Sequence, residues 1–415
     1  MSGDGAVNKL LVLYMPGLDA RRLSRGHTPY LSGLLEAFPH ATTTSYPSVE
    51  HLSTVITGMR PNEHGLWLVK RNPDFQRATP AQRLIDLLPD LVTTTIQSVA
   101  HRLTNRYQMC TVPPRRRRRM RFKKMKFYGR VGTRELLTEL ASHGVQGSLI
   151  SAVGTDRARY VFTDQFQDRE WLLGEVASGA YRLEVVQFHA LDIMEHWYLD
   201  TPEDFHKYYG EIDVFIRKTH EKCQVNGVTM ALVSDHGQER VAKFVDLKRQ
   251  LGALEVPEDE YTPFFESMKA RFWFHTDRAR QAVLSFLSQS PDGTVVPYQE
   301  MRRYNVEFQN ADYGEVYFVA HPGSVIFPDD FYQPVVNAYF GLKEWQKRKR
   351  LKRPILLGQH GYLPVHPSEQ GLMAVLNRRF AADAKTIELR DVGPSVLGLL
   401  GEPTPSFMTG TSRFH

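Results

Sequence analysis

Short apolar runs alternate with segments of helical spacing along most of the chain. Lys9 to Met15 is a continuous apolar run followed by Pro16-Gly17, and Thr229 to Val233 is a second run that ends at Ser234. Apolar runs of this length, bounded by turn residues, are typical of buried strands in parallel sheets. The pattern therefore predicts an α/β fold, with a mostly parallel central sheet and helices on both faces.

Other segments extend this α/β pattern. Helical spacing predicts helices over Thr28 to Phe38, Glu50 to Thr57, Leu84 to Leu91, Thr95 to Leu103, Thr133 to His143 and Phe205 to Thr219. Apolar runs predict strands over Gly147 to Ala152 and Leu183 to His189, and Ile387 to Leu400 supplies a last strand and helix.

The character of the chain changes after Gly237. Short alternating strands at Ala270 to Thr276 and Glu315 to Ala320 flank a predicted helix around Ala279 to Ser288. We therefore expect a core formed by residues 1–240 and 354–415, with a basic insertion near 71–126. Residues 241–353 are predicted to form a smaller inserted α+β cap lobe.

Composition favours a cytosolic protein with a large core. The 415 residues are 42% hydrophobic, no apolar run approaches the roughly 18 residues of a membrane span, and the start lacks the apolar core of a signal peptide. Two cysteines, Cys110 and Cys223, cannot form a disulfide framework, which fits a reducing compartment. We predict a cytoplasmic location and no membrane span.

Positive charge is concentrated in one block. The formal net charge is only +6, yet Arg115 to Lys126 contains nine Arg or Lys with only Met and Phe between them. Such a block attracts phosphates and other polyanions. The alternative is a solvated loop, although the interleaved Met and Phe residues are unusual for a simple spacer.

Two pairs of metal-capable side chains follow predicted strands. Asp235-His236 comes directly after the strand ending at Val233, and Asp192 and His196 are four residues apart, so one helical face can carry both. Ligands bind at the carboxyl ends of strands in open α/β sheets. The alternatives are a capped helix start for the first pair and a surface hydrogen bond for the second.

Two further residues belong to the same predicted sheet edge. His360 lies between glycines after the apolar run from Ile355, and Ser48 directly precedes a predicted helix. On residue type alone, Ser48 is more often an N-cap than a nucleophile. As a set, the carboxylates and imidazoles match the ligands of Zn²⁺ or a similar divalent cation, which can activate a hydroxyl and polarise a phosphoryl group.

Together, the motifs resemble the alkaline phosphatase superfamily, closest to its type I phosphodiesterase/nucleotide pyrophosphatase branch. They are Ser48 before a helix ending in Thr-Gly, the Pro-Asn-Glu-His-Gly of residues 61–65, Asp192 with His196, the Ser-Asp-His-Gly of 234–237, the Gly-Gln-His-Gly-Tyr of 358–362, and a closing segment over 390–401. The resemblance covers nearly the whole chain except residues 71–126.

The resemblance implies residue roles. Asp192, His196 and His360 match the ligands of one zinc ion, and Asp235 with His236 match ligands of the other. Ser48 falls where the family places its nucleophile. The implied activity is a phosphodiesterase or nucleotide pyrophosphatase acting on a small phosphorylated substrate, through a covalent phosphoserine intermediate that water hydrolyses.

One departure from the family pattern opens alternatives. The family's first strand ends in Asp-Gly and that Asp binds the second zinc, whereas this chain has Pro16-Gly17. Asp19 is a candidate replacement if the turn is rearranged. The alternatives are a phosphoryl transferase or isomerase on the same fold, and a metal-depleted relative that binds phosphate or a polyanion through residues 115–126.

Overall fold

The structure, a computed structural model, describes residues 6–413 apart from 39, 48–50, 68, 74–78, 86, 90–91, 93–118, 124, 126, 128, 200–201, 258, 305, 307, 327–356 and 377–384. The chain divides into two compact units. The first contains residues 1–66, 127–240 and 363–415, and the second contains residues 67–126 and 241–362.

Strands and helices alternate through most of the chain. The strands are β1 (Leu10–Tyr14), β2 (His40–Thr44), β3 (Val69–Arg71), β4 (Met120–Phe122), β5 (Arg130–Gly132), β6 (Ala158–Thr163), β7 (Leu183–Phe188), β8 (Thr229–Val233), β9 (Glu239–Arg240), β10 (Lys243–Val245), β11 (Tyr261–Phe265), β12 (Lys269–Phe274), β13 (Gly293–Pro297), β14 (Val316–Ala320), β15 (Ser324–Ile326), β16 (Gly358–Gln359), β17 (Gln370–Val375) and β18 (Thr386–Glu388). The α-helices are α1 (Pro29–Ala37), α2 (Leu52–Thr57), α3 (Pro61–His64), α4 (Pro80–Ile85), α5 (Thr133–Ser142), α6 (Leu149–Val153), α7 (Arg169–Glu175), α8 (Ala190–Tyr198), α9 (Pro202–Val225), α10 (Leu247–Gly252), α11 (Asp277–Gln289) and α12 (Val392–Leu400).

The first unit is built on one large sheet. In the described part of the chain this sheet has eight strands, in the order β18-β2-β17-β8-β1-β7-β6-β5. All of them except β5 and β17 run in the same direction. The sheet with its helices confirms the predicted alkaline phosphatase-like α/β class, although the two reversed strands make the sheet mixed.

The core of the first unit explains why β1 is apolar at every position. Leu11 and Leu13 pack in a buried cluster with residues of α1 and α9, including Leu31, Ile212 and Phe215. All five residues of β1 are buried, as expected for a central strand covered on both faces. Burial of apolar surface on this scale is the main force that holds such a sheet together.

The second unit contains a smaller antiparallel sheet. Its order is β11-β12-β14-β13, and α11 packs on β12 and β13. Separate short pairs are β3 with β4 and β10 with β15. The side chain of Arg271, on β12, is fully buried and donates from Nη1 to the carbonyl oxygens of Val69 and Tyr313.

The structure corrects one predicted strand and adds another. The predicted strand Gly147 to Ala152 is wrong, because residues 149–153 form helix α6, whose N-cap Ser148 accepts a hydrogen bond from the Ser151 amide. The polar segment His40–Thr44 is a sheet strand between β17 and β18. The division of the chain into a core and an inserted cap lobe stays a prediction.

None of the helices in the described part of the chain combines the length and the apolar character that crossing a bilayer requires. The cytoplasmic location stays a prediction. Most of the predicted helices over Leu84 to Leu91 and Thr95 to Leu103 lie outside the described residues.

Candidate metal centre in the first unit

The register of three central strands places the candidate ligands at one sheet edge. β1 lies between β7 and β8, parallel to both, and Tyr14 at its end pairs with Gln187 and Val233. β7 leads into α8, which carries Asp192 and His196, and β8 leads into Asp235 and His236. Because parallel strands in register end together, both pairs lie at the edge that the sequence predicted.

The Asp192 carboxylate is the centre of the first cluster. It is 4% exposed, and its Oδ2 lies 3.5 Å from His196 Nε2 and 3.7 Å from His189 Nε2. Its Oδ1 accepts a hydrogen bond of 2.6 Å from Gln238 Nε2. One carboxylate oxygen flanked by two imidazole nitrogens has the chemistry of a site for zinc or a similar divalent cation.

The Asp235-His236 pair is held in a fixed orientation by its neighbours. Tyr14 donates its hydroxyl to Asp235 Oδ2 at 2.8 Å, and His236 Nδ1 lies 2.9 Å from the Gly237 carbonyl oxygen. A carbonyl only accepts, so Nδ1 carries the proton. His236 Nε2, 3.3 Å from Asp235 Oδ2, then offers its lone pair. This is the arrangement in which histidine binds a metal.

The two pairs share a negative electrostatic field. Burial lowers the pKa of His236, but the charges of Asp235, Asp192 and Glu369 outweigh burial and leave this pKa raised. The field that favours an additional proton on a buried imidazole also favours a bound cation. Gln238, two residues after His236, donates to the Asp192 carboxylate, so the two pairs lie close together.

Asp19 is occupied by an ion pair. Its side chain is 1% exposed, and its Oδ2 lies 2.6 Å from Arg21 Nη2 and 3.4 Å from Arg22 Nε. It also packs against Gly237, where an added β-carbon would lie 2.3 Å from Asp19 Oδ2. Two guanidinium groups therefore pair with this carboxylate, and its role as a replacement for the ligand missing at Pro16 stays a prediction.

A second buried carboxylate is that of Glu195, which precedes His196 on α8. Tyr209 donates its hydroxyl to Glu195 Oε1, and an added β-carbon on Gly17 would lie 3.1 Å from Oε2. Burial raises the pKa of Glu195 well above its ordinary value, and the negative charge of Asp19 raises it further. Burial therefore favours the neutral form of this carboxyl compared with a glutamate in water.

The other candidate residues have different outcomes. Ser48 lies outside the described residues. His51 is 2% exposed, with its ring centroid 5.5 Å from that of His236. His64 holds its own turn by accepting from the Leu66 amide. His360 is a buried residue of the second unit, directly after β16, and its role as a ligand stays a prediction.

Three residues of the centre were missed by the sequence reasoning. His189 precedes α8 at a spacing of three and seven residues from Asp192 and His196, so helical periodicity could have found it. Gln238 and Tyr14 reach their carboxylates from elsewhere in the chain. No local pattern in the sequence predicts such long-range contacts.

Fold and site together define an α/β protein of the alkaline phosphatase type. The sequence profile of the family "Type I phosphodiesterase / nucleotide pyrophosphatase" matches residues 10–371, and the chain belongs to this family. The class of activity that the family describes is hydrolysis of phosphoric diesters. A comparison with curated protein sequences gave no significant match.

Solved structures of similar fold include murine and human ectonucleotide pyrophosphatase/phosphodiesterase 5. The murine enzyme, in an inactive form in complex with AMP, is 15% identical with a TM-score of 0.57, and the alignment covers 96% of each chain. The human enzyme is 14% identical with a TM-score of 0.56 over 97% of each chain. At these identities the similarity is one of fold.

Proposed function

We propose that the protein is a metal-dependent phosphodiesterase that cleaves a nucleotide-type phosphate ester through Ser48. The observation that carries the proposal is the Asp192 carboxylate, whose Oδ2 lies within 3.7 Å of two imidazole nitrogens. Asp235 and His236 follow the end of a strand in the same sheet and act electrostatically on the same site.

Zinc is the cation that this donor set favours, because imidazole and carboxylate are its common ligands. Such a cation supplies polarisation of a phosphoryl oxygen and makes a nearby hydroxyl more acidic. We assign Asp192, His196 and His360 to one ion and Asp235 with His236 to a second. The second set lacks one carboxylate, because Pro16 has no ligand atom.

Ser48 is the proposed nucleophile. Its oxygen attacks phosphorus and one alcohol departs, which gives a covalent serine ester of the phosphate that keeps the second alcohol group. Water then cleaves the bond between serine and phosphorus and releases a phosphate monoester. The family resemblance supports this role, as does the position of His51 three residues later, whose ring lies close to that of His236. A nucleotide is the proposed substrate, because the murine relative was solved with AMP.

Replacement of Asp192 tests the centre directly. We expect Asp192→Asn to lose bound zinc and to lower hydrolysis of bis-p-nitrophenyl phosphate by a factor of at least about 1000, since several kcal/mol of charge stabilisation are removed. Zinc per chain is measured by elemental analysis. Asp204→Asn, an exposed acid in the first turn of α9, is the matched control and should change neither quantity.

Replacement of Ser48 tests the nucleophile independently of metal binding. Ser48→Ala should abolish turnover and leave at least one zinc per chain. Undiminished hydrolysis by Ser48→Ala would remove the nucleophile assignment, and full zinc content in Asp192→Asn would remove the ligand assignment.

A second candidate function is a metal-depleted protein that binds phosphate groups. Pro16 favours it, and so does the ion pair that occupies Asp19. Absence of zinc together with retained affinity for polyanions would support this candidate. Phosphoryl transfer or isomerisation is a further variant of the enzyme, and an alcohol acceptor that raises product formation would identify it.

A further inference from the structure

Two cationic side chains face each other across the short pair of strands β3 and β4. The strands are antiparallel, and Lys70 lies directly opposite Arg121. Residues in this relation project from the same face, and like charges there destabilise the pairing. Lys123, two residues beyond Arg121, continues the same face by alternation. We call β3, β4 and Lys123 the basic ribbon.

The charges of these cations act on one another, and two neutral or acidic side chains of the second unit lie beside them. Burial lowers the pKa of Lys123, and the charges of Lys70 and Arg121 lower it further. Lys70 Nζ lies 3.9 Å from Asp312 Oδ2, at the outer limit of an ion pair. Arg121 donates from Nε to the neutral amide oxygen of Asn72 at 3.2 Å.

The layer that holds the ribbon is also cationic. Lys269 and Arg271, both fully buried on β12, lie 3.9 Å and 3.1 Å from Oε2 of Glu266. Arg271 also donates to the carbonyl oxygen of Val69, which fixes the backbone next to Lys70. Buried charges are weakly screened, so the positive charges of Lys269 and Arg271 act on the ribbon.

We propose that the basic ribbon binds a phosphate group through Lys70, Arg121 and Lys123. A phosphate dianion offers several anionic oxygens, which suit both the guanidinium fork and the ammonium groups. Its charge removes the repulsion between Lys70 and Arg121 that the strand register imposes. The site belongs to the second unit and does not depend on the metal ligands of the first.

Protection of lysines from an amine-reactive reagent tests the site in the intact protein. Labelling at Lys70 and Lys123 is followed by mass spectrometry while inorganic phosphate is raised to about 20 mM at constant ionic strength, which keeps charge screening fixed. Near saturation, labelling of Lys123 should fall about tenfold. Lys218, a partly exposed lysine paired with Glu170 in the first unit, is the control and should keep its rate.

Two variants test whether Arg121 itself binds the phosphate group. Arg121→Gln should raise the phosphate concentration for half-protection of Lys123 about tenfold, since a charge-assisted hydrogen bond contributes about that factor. Arg249→Gln, which removes an exposed cation of the same unit, should leave it unchanged. Equal protection of Lys123 and Lys218, or equal effects of the two variants, would overturn the proposal.

Two further experiments identify the source of the phosphate group and distinguish this site from the metal centre. Vesicles of phosphatidylcholine with phosphatidic acid should protect Lys123 if the group is a lipid headgroup, whereas protection by inorganic phosphate alone indicates a soluble ligand. Asp192→Asn should lose diester hydrolysis and keep the protection. Unprotected Lys123 in an active enzyme would refute the ribbon site and leave the proposed function standing.

Discussion

Burial sets the protonation of single side chains around the candidate centre. Glu195 is pushed towards its neutral form by loss of solvent, while the carboxylates near His236 raise the pKa of that imidazole despite its burial. His64 has no such compensation, and burial lowers its pKa to about 3. Its Nδ1 accepts from the Leu66 amide, so Nε2 carries the proton towards Thr54 Oγ1 at 3.1 Å.

The neutral state of His64 predicts a loss of stability in acid. The unfolded chain takes up a proton near pH 6.5 and the folded chain only near pH 3. The free energy of unfolding should therefore fall as the pH drops below about 6.5, by up to about 1.4 kcal/mol per pH unit for this group. His64→Gln should show a flatter dependence in urea unfolding between pH 6 and pH 4.

Exposed His206 provides the comparison for His64. His206→Gln should reproduce the pH dependence of the wild type. If His64→Gln also reproduces it, the imidazole of His64 does not remain neutral in the folded chain.

At the scale of elements, a residue of one helix caps another. Asp213, on α9, accepts hydrogen bonds from the backbone amides of Tyr30 and Leu31 at 3.1 Å and 2.7 Å. These amides belong to the first turn of α1, where helical partners are missing. A carboxylate there also complements the positive end of the helix dipole. Asp213 therefore fixes α1 on α9 as well as completing the helix.

Removal of this cap should destabilise the first unit. Asp213→Ala leaves two amides without their acceptor, and we expect the free energy of unfolding to fall by about 1–3 kcal/mol. Urea denaturation measures the change. Glu221→Ala, at an exposed position of the same helix, should change it by less than about 0.5 kcal/mol. Similar effects of both variants would mean that the contact is not a stabilising cap.

At the scale of the whole molecule, residues 407–413 connect parts of the first unit that are distant in sequence. The amides of Thr409 and Gly410 donate to the Gly58 carbonyl at 2.9 Å and 3.0 Å. Arg413 pairs with the buried Asp391 at 2.7 Å. Phe407 fills the space beside Gly147, where an added β-carbon would lie 2.6 Å from its ring.

Truncation after Glu402 should therefore cost about 3–5 kcal/mol of unfolding free energy, because it leaves the Asp391 carboxylate buried without its partner. The midpoint of urea unfolding reports the change. A chain that ends at Arg413 retains these contacts and should behave as the full sequence does. An unchanged midpoint in the shorter variant would show that the segment adds no stability.

The sequence by itself determined the central elements and the local ligand spacing. β1, β7 and β8 were predicted because each is a continuous apolar run, and α5 and α9 because their apolar residues recur at helical spacing. Asp192 and His196 were found because four residues separate them. Such periodic signals lie within one element and need no knowledge of its neighbours.

Tertiary structure decided what depends on contacts between distant residues. Polar β2 is a strand because β17 and β18 pair with it, and the Thr43 hydroxyl donates to the Ser234 carbonyl at 2.7 Å. Only the folded chain shows that Asp19 pairs with Arg21 and that Tyr14 reaches Asp235. These interactions join residues far apart in sequence or depend on a particular turn, so composition and periodicity carry no trace of them.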